Sequence, residues 1–211
     1  KYKPGNYEPI KPEKISDIKP WEDMVEFIVE DEVEREYLLD WLGFVVQNHW
    51  VKIHSIVLIY TKHQRMGKGS IFDVMTDILG EENAEPTDIN GIMDKGVTFA
   101  EKEFILVDEM KTKGNYSETK HVSNALKKLG TERRISQRKL YVDTKVIETH
   151  TNYMIFTNNN DALNLDKEDD RFFIISNLKE RKPQKFYDEF HKWRQHLGSS
   201  YVHYILNYNN L

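Results

Sequence analysis

Four short, nearly unbroken apolar runs stand out from a polar chain, at residues 55–60, 103–107, 153–157 and 172–175. Each has strand length and is rich in β-branched or aromatic residues, as expected of strands buried on both faces. Elsewhere the spacing becomes helical. From Trp21 to about Trp50, the positions Val25, Phe27, Ile28, Val33, Tyr37, Leu38, Trp41, Leu42, Val45 and Val46 alternate with acids. They predict one or two amphipathic helices, with Gly43 tolerated inside. A helix is expected over 69–79, stopped by Gly80, and another over 118–129, reached through a loop at Gly114 and ended by Gly130. A third starts at Lys185 on Phe186, Phe190, Trp193 and Leu197, and Gly198 interrupts it before a short helix at 201–206. Alternation around Ile135, Leu140, Val142, Val146 and Ile147 predicts a two-stranded hairpin over 133–148.

Residues 81–101 read as loops around short elements, broken at Gly91 and Gly96. Residues 1–20, with Pro4, Pro9, Pro12 and Pro20 and no apolar period, read as an extended arm. Strands separated by helical crossovers predict an α/β fold, a parallel sheet with helices on its faces. The expected organisation is an arm (1–20), an N-terminal helical segment (21–52), a core (53–180) and a C-terminal helical segment (181–211).

Two of the strands end in residues that change the picture. The strand at 55–60 runs into Thr61-Lys62-His63-Gln64-Arg65-Met66-Gly67-Lys68-Gly69-Ser70, and the strand at 103–107 ends in Asp108-Glu109. A strand, then Gly-Lys, then a helix is a phosphate-binding arrangement, in which backbone amides and the lysine meet phosphate oxygens. An Asp-Glu pair closing a buried strand offers a carboxylate for magnesium (Asp108) and a base for an attacking water (Glu109). The loop departs from G-x-x-x-x-G-K-[ST] twice: Lys62 stands in place of the first glycine, and Gly69 follows Lys68, with Ser70 one place later. Ser70 reaches the metal only with a shifted helix start. Asn158, after the third strand, suits a neutral amide beside a γ-phosphate and its water, and equally an ordinary turn. Arg171, after Asp169 and Asp170, reads either as an intramolecular salt bridge or as a finger stabilising charge on a neighbouring subunit's nucleotide.

Charge adds a second activity. The chain carries −5 overall, yet residues 111–145 hold ten basic against three acidic residues, a local +7. Such a strip suits a phosphate backbone, or a solvated helix face. There is no cysteine, which excludes disulfides and thiol chemistry and suits a reducing cytoplasm; the eight histidines have no metal-ligand spacing. No run of 18 apolar residues exists, so no membrane partner is expected. The start at Lys1, without Met, suits a piece of a longer protein.

The order of these parts resembles the superfamily 3 helicases of viruses, phages and plasmids, and more narrowly the helicase-type domain attached to phage primase–polymerases. The likeness covers roughly residues 25–206. Several relatives in that group also carry Gly-Lys-Gly-Thr/Ser, so Gly69 looks like a family variant. The resemblance implies an AAA+-type P-loop core, ATP and Mg²⁺ as cofactors, and a nucleotide site over Gln64, Arg65, Met66, Gly67, Lys68, Gly69 and Ser70. It further implies metal ligation by Asp108 and Ser70, and catalysis by Glu109, Asn158 and Arg171. The segment 135–140 resembles the family's channel hairpin, which makes Lys139 the leading DNA contact, supported by Arg133, Arg134 and Arg138. Many relatives have two arginines after the acids, whereas Phe172 takes the second place here. The implied partners are single-stranded DNA, further copies in a homo-oligomeric, hexameric ring, and an upstream primase or polymerase domain. The implied setting is the host cytoplasm of a phage. The second reading is a weak or inactive ring-forming collar, and the third a small-molecule kinase, which explains neither the basic hairpin nor the pairing of Asn158 with Arg171.

Overall fold

The computed structural model describes residues 5–93, 101–108, 116–137, 145–159 and 169–208. Contacts divide the chain into two compact units. One comprises Lys1–His49, His63–Ala84 and Asn177–Leu211, and the other Trp50–Lys62 and Glu85–Ser176.

The first unit is helical. After a single 3₁₀ turn at Ile15–Asp17 come α1 (Lys19–Ile28) and α2 (Glu32–Gln47). Pro20 sits in the first turn of α1, where its missing N–H costs nothing. Trp21, Met24, Val25 and Ile28 then fall on one face and are buried. Asp31 caps α2 by accepting from the Glu34 N–H at 3.0 Å. α3 (Lys68–Leu79) ends at Gly80, as its sequence predicts.

The chain returns to this unit at Asn177. That buried amide donates to the carbonyls of Phe27 (2.5 Å) and Ile28 (2.9 Å), at the end of α1. α6 (Gln184–Trp193) packs on α1, while α7 (Ser199–Tyr208) packs on α2 and α3. Gly198 does not interrupt the helix as expected. A π-helical turn at Arg194–Gly198 joins α6 directly to α7. A Cβ on Gly198 would stand 2.6 Å from the Trp193 ring, so this glycine makes room for an indole within a continuing helix.

The second unit is a sheet. Its strands are β1 (Ile56–Thr61), β2 (Ala84–Thr87), β3 (Phe104–Val107), β6 (Asn152–Thr157) and β7 (Phe172–Asn177), in the order β2-β3-β6-β1-β7. β4 (Arg134–Gln137) and β5 (Lys145–Glu148) form a separate antiparallel pair. β6 runs parallel to β1 and to β3, with Met154 level with both Val57 and Leu106. Both faces of these three strands are buried, which is why their sequences are continuous in apolar character. One face carries Ile56, Leu58, Ile105, Val107, Tyr153 and Ile155, which pack with Val122, Leu126 and Leu129 of α5 (Tyr116–Thr131).

Residues 84–87 and 89–93 form β2 and α4 (Ile89–Met93), short elements in a stretch expected to hold loops around short elements. β2 contains Pro86 and lies at the sheet edge, so it shows little of the apolar alternation that marks a strand. Gly130 does not end α5, which continues to Thr131. A Cβ there would come within 2.7 Å of Ile56, so the glycine permits close packing of α5 on β1. The expected break at Gly96 and the loop at Gly114 lie outside the described residues.

Candidate functional site

The phosphate loop belongs to the helical unit. Gln64 and Arg65 are exposed, Met66 is buried, and Gly67 is the N-cap of α3. Gly67 sits at φ 89°, which side chains disfavour, and a Cβ there would stand 2.8 Å from Met24 Sδ and 3.2 Å from Tyr187 Cε1. Arg65 is also left-handed, at φ 58°, a conformation that costs a non-glycine residue about 1 kcal/mol or more.

Helix α3 starts at Lys68, so Lys68, Gly69 and Ser70 occupy its first three positions, and Ser70 N–H donates to Gly67 C=O at 2.9 Å. Lys68 and Ser70 are buried, and Gly69 is exposed with open space where a Cβ would be. Gly67 brings no capping side chain, and a helix start of this kind favours an anion. Beside it lies a cleft of about 390 Å³, lined by Gly67, Ser70, Asp73, Arg181, Gln184, Tyr187 and His191 among others. The Arg181 guanidinium stacks over the Tyr187 ring at 5.3 Å. The α6 residues of this cleft carry no motif in the sequence. Only the fold brings α6 to the loop.

The sheet unit has its own candidates, at the carboxyl edge of its strands. With β6 between β1 and β3, Thr61 ends β1, and Asn158 and Asp108 directly follow β6 and β3. In open α/β sheets this edge is where ligands bind. Asp108 is exposed, and its N–H donates to Thr87 C=O at 2.9 Å. The Asn158 amide donates to both the carbonyl and the hydroxyl of Thr61, each at 2.7 Å. Asn158 thus ties the end of β6 to the end of β1, just before the chain enters the phosphate loop. Its partner Thr61 was not singled out in the sequence, since the pairing depends on strand register. Glu109 lies outside the described residues.

Arg171 lies just before β7 and is held by a neighbour. Its Nε donates to Asp169 Oδ1 at 2.6 Å and its Nη2 to Asp169 Oδ2 at 3.0 Å. Lys127 Nζ, from α5, stands 2.7 Å from the same Oδ2. These hydrogen bonds, that from Arg171 foremost, hold the Asp169 carboxyl down at about 2. Among the described basic residues, Arg133 and Arg134 are exposed at the root of the β4–β5 hairpin, while Arg138 and Lys139 lie outside the described residues. No three His, Asp or Glu side chains gather as a metal-binding group among the described residues. No helix among them is long and apolar enough to cross a membrane.

No curated protein matches this sequence. Among solved structures, the apo C-terminal region (305-718) of NrS-1 matches with a TM-score of 0.77 at 16% identity, over 95% of this chain and 47% of that one. An A-form apo structure of the same region matches at 0.74 and 16%, over 98% and 47%. A ligand-bound JCV helicase gives 0.48 and 10%, over 91% and 62%, too slight a likeness to argue from. The chain therefore spans about half of the NrS-1 region it matches. The likeness to NrS-1 is one of fold, and the α/β fold implied by the superfamily 3 resemblance holds at that level. A family of unknown function, DUF5906, matches residues 59–171, more than half of the sequence and most of the sheet unit. The chain belongs to the DUF5906 family.

Proposed function

We propose that this chain is an ATP-dependent DNA helicase or translocase domain of a phage-type replication protein, acting in a ring and gripping single-stranded DNA with its basic hairpin. The observation that carries this reading is the shared carboxyl edge of β1, β6 and β3. Thr61, Asn158 and Asp108 stand there, and β1 runs on into a loop whose glycine caps a helix. The donor set suits a nucleotide with its metal. Mg²⁺ takes one or two protein oxygens and completes its shell with phosphates and water, and Asp108 and Ser70 are oxygen donors that would hold it. When bound, the metal neutralises phosphate charge. Lys68 and the first amides of α3 bind the phosphates, and the cleft beside them leaves room for the rest of the nucleotide. Glu109 takes the proton of the attacking water, Asn158 orients that water while held by Thr61, and Arg171 acts on the nucleotide of a neighbouring copy.

DNA binding rests on Lys139 with Arg133, Arg134 and Arg138. In a ring of six, these contacts add, and affinity falls steeply with salt. One observation favours the second reading, a silent collar that holds a primase–polymerase on DNA: the Asn158 amide donors are already engaged by Thr61. Titration with a fluorescent ATP analogue in magnesium separates the two. The motor reading expects micromolar binding to the wild-type chain and at least about a 100-fold loss in Lys68→Ala, the scale of removing a fixed charge from a phosphate site. Binding that is absent, or indifferent to Lys68, would favour the collar.

A further inference from the structure

A trans-acting arginine has two physical needs. It must be held in place before the neighbour's nucleotide arrives, and it must remain cationic in effect while held. A lone Asp–Arg pair meets the first need at the expense of the second, because the carboxylate cancels the charge it positions. The cluster around Asp169 resolves this conflict. The Asp169 side chain is 3% exposed and grips Arg171 by two parallel hydrogen bonds at 2.6 and 3.0 Å. That fork fixes the guanidinium plane. Lys127, 13% exposed, reaches the same carboxylate from α5 at 2.7 Å. Two cations share one anion, so the trio carries one net positive charge. The only member with substantial exposure is Arg171, at 39%.

We infer that Asp169 and Lys127 are positioning residues for Arg171, with Asp169 fixing the guanidinium and Lys127 restoring the positive charge that Asp169 would otherwise cancel. This rests on the motor reading above. A salt bridge that served only to join α5 to the start of β7 would need neither the bidentate fork nor the exposed guanidinium.

The test is steady-state ATP hydrolysis by the full chain with saturating single-stranded DNA, at matched oligomeric state. It compares wild type, Lys127→Met, Lys127→Arg and Asp169→Asn. The expected result is a roughly 10-fold fall in kcat for Lys127→Met at an unchanged KM for ATP, part of the three to five decades a whole finger supplies. Lys127→Arg returns kcat to near wild type, and Asp169→Asn lowers it further, again without moving KM. An unchanged kcat in Lys127→Met overturns the inference. So does a raised kcat in Asp169→Asn, which would make Asp169 a trap that withholds Arg171. Should Asp169→Asn fail to assemble, the Lys127 pair of variants decides the matter. A wild-type chain with no turnover overturns the motor reading and this inference with it. That result differs from a working wild type with an indifferent Lys127.

Discussion

Asp169 has a measurable signature in acid. Its carboxyl titrates at about 2 in the fold, held there first by Arg171 and then by Lys127, against about 3.9 in an unfolded chain. A depressed carboxyl contributes stability that is fully present above pH 4 and is lost as pH falls through 2. Urea unfolding at steps from pH 5 to pH 2 is therefore expected to show a decline that is shallower in Asp169→Asn. Parallel declines in the two proteins would mean that the cluster is not formed in solution.

The places of Gly67, Lys68 and Asp108, at a helix start and just after a strand, were legible in the sequence, because a glycine before a lysine and an acid closing an apolar run mark those places by their order. The partners of Asn158 and Arg171 were not. Thr61 meets Asn158 through strand register, and Lys127 reaches Asp169 across 42 positions of sequence. In the sequence Lys127 is only one more charge in a basic strip.

Among the elements, α5 has several links. It packs on β1 through Gly130, presents Lys127 to Asp169, and leads within three residues of Thr131 into β4, the first strand of the basic hairpin. Its carboxyl end is clamped by Lys52, a buried lysine whose Nζ donates to the carbonyls of Leu129 (2.5 Å) and Glu132 (2.9 Å) and lies 5.7 Å from the centre of the Tyr153 ring. Cations at helix ends of this sense are favoured. Burial pulls the Lys52 ammonium down to about 8, against an ordinary value near 10.5. Between those values the unfolded chain binds more protons than the folded one, so this group makes stability rise with pH from 8 towards 10.5.

Lys52→Met is expected to flatten that rise. It should also destabilise the chain by about 1–3 kcal/mol at pH 7, the cost of leaving buried carbonyl acceptors unmet. Chemical unfolding at pH 7 and pH 9.5 measures both, and a variant as stable as wild type at pH 7 would contradict the clamp. The strong strands and most helices were legible from period alone. β2 and the continuation of α5 through Gly130 were not, since an edge strand has little alternation to read and a glycine that admits a neighbour looks like one that stops a helix.

At the scale of the molecule, two compact units interleave along the chain. The phosphate loop lies in one, and Asp108 and Asn158 after β3 and β6, with Arg171 before β7, lie in the other. The sheet order puts β6 between the strand that leads into the loop and the strand that Asp108 follows. The first measurement is steady-state ATP hydrolysis with and without single-stranded DNA, comparing wild type with Glu109→Gln at matched oligomeric state. The account predicts turnover stimulated by DNA in the wild type and a loss of about 100-fold or more in the variant, the scale of a general base. No turnover in either protein, with a ring still formed and DNA still bound, would contradict the motor and leave the collar.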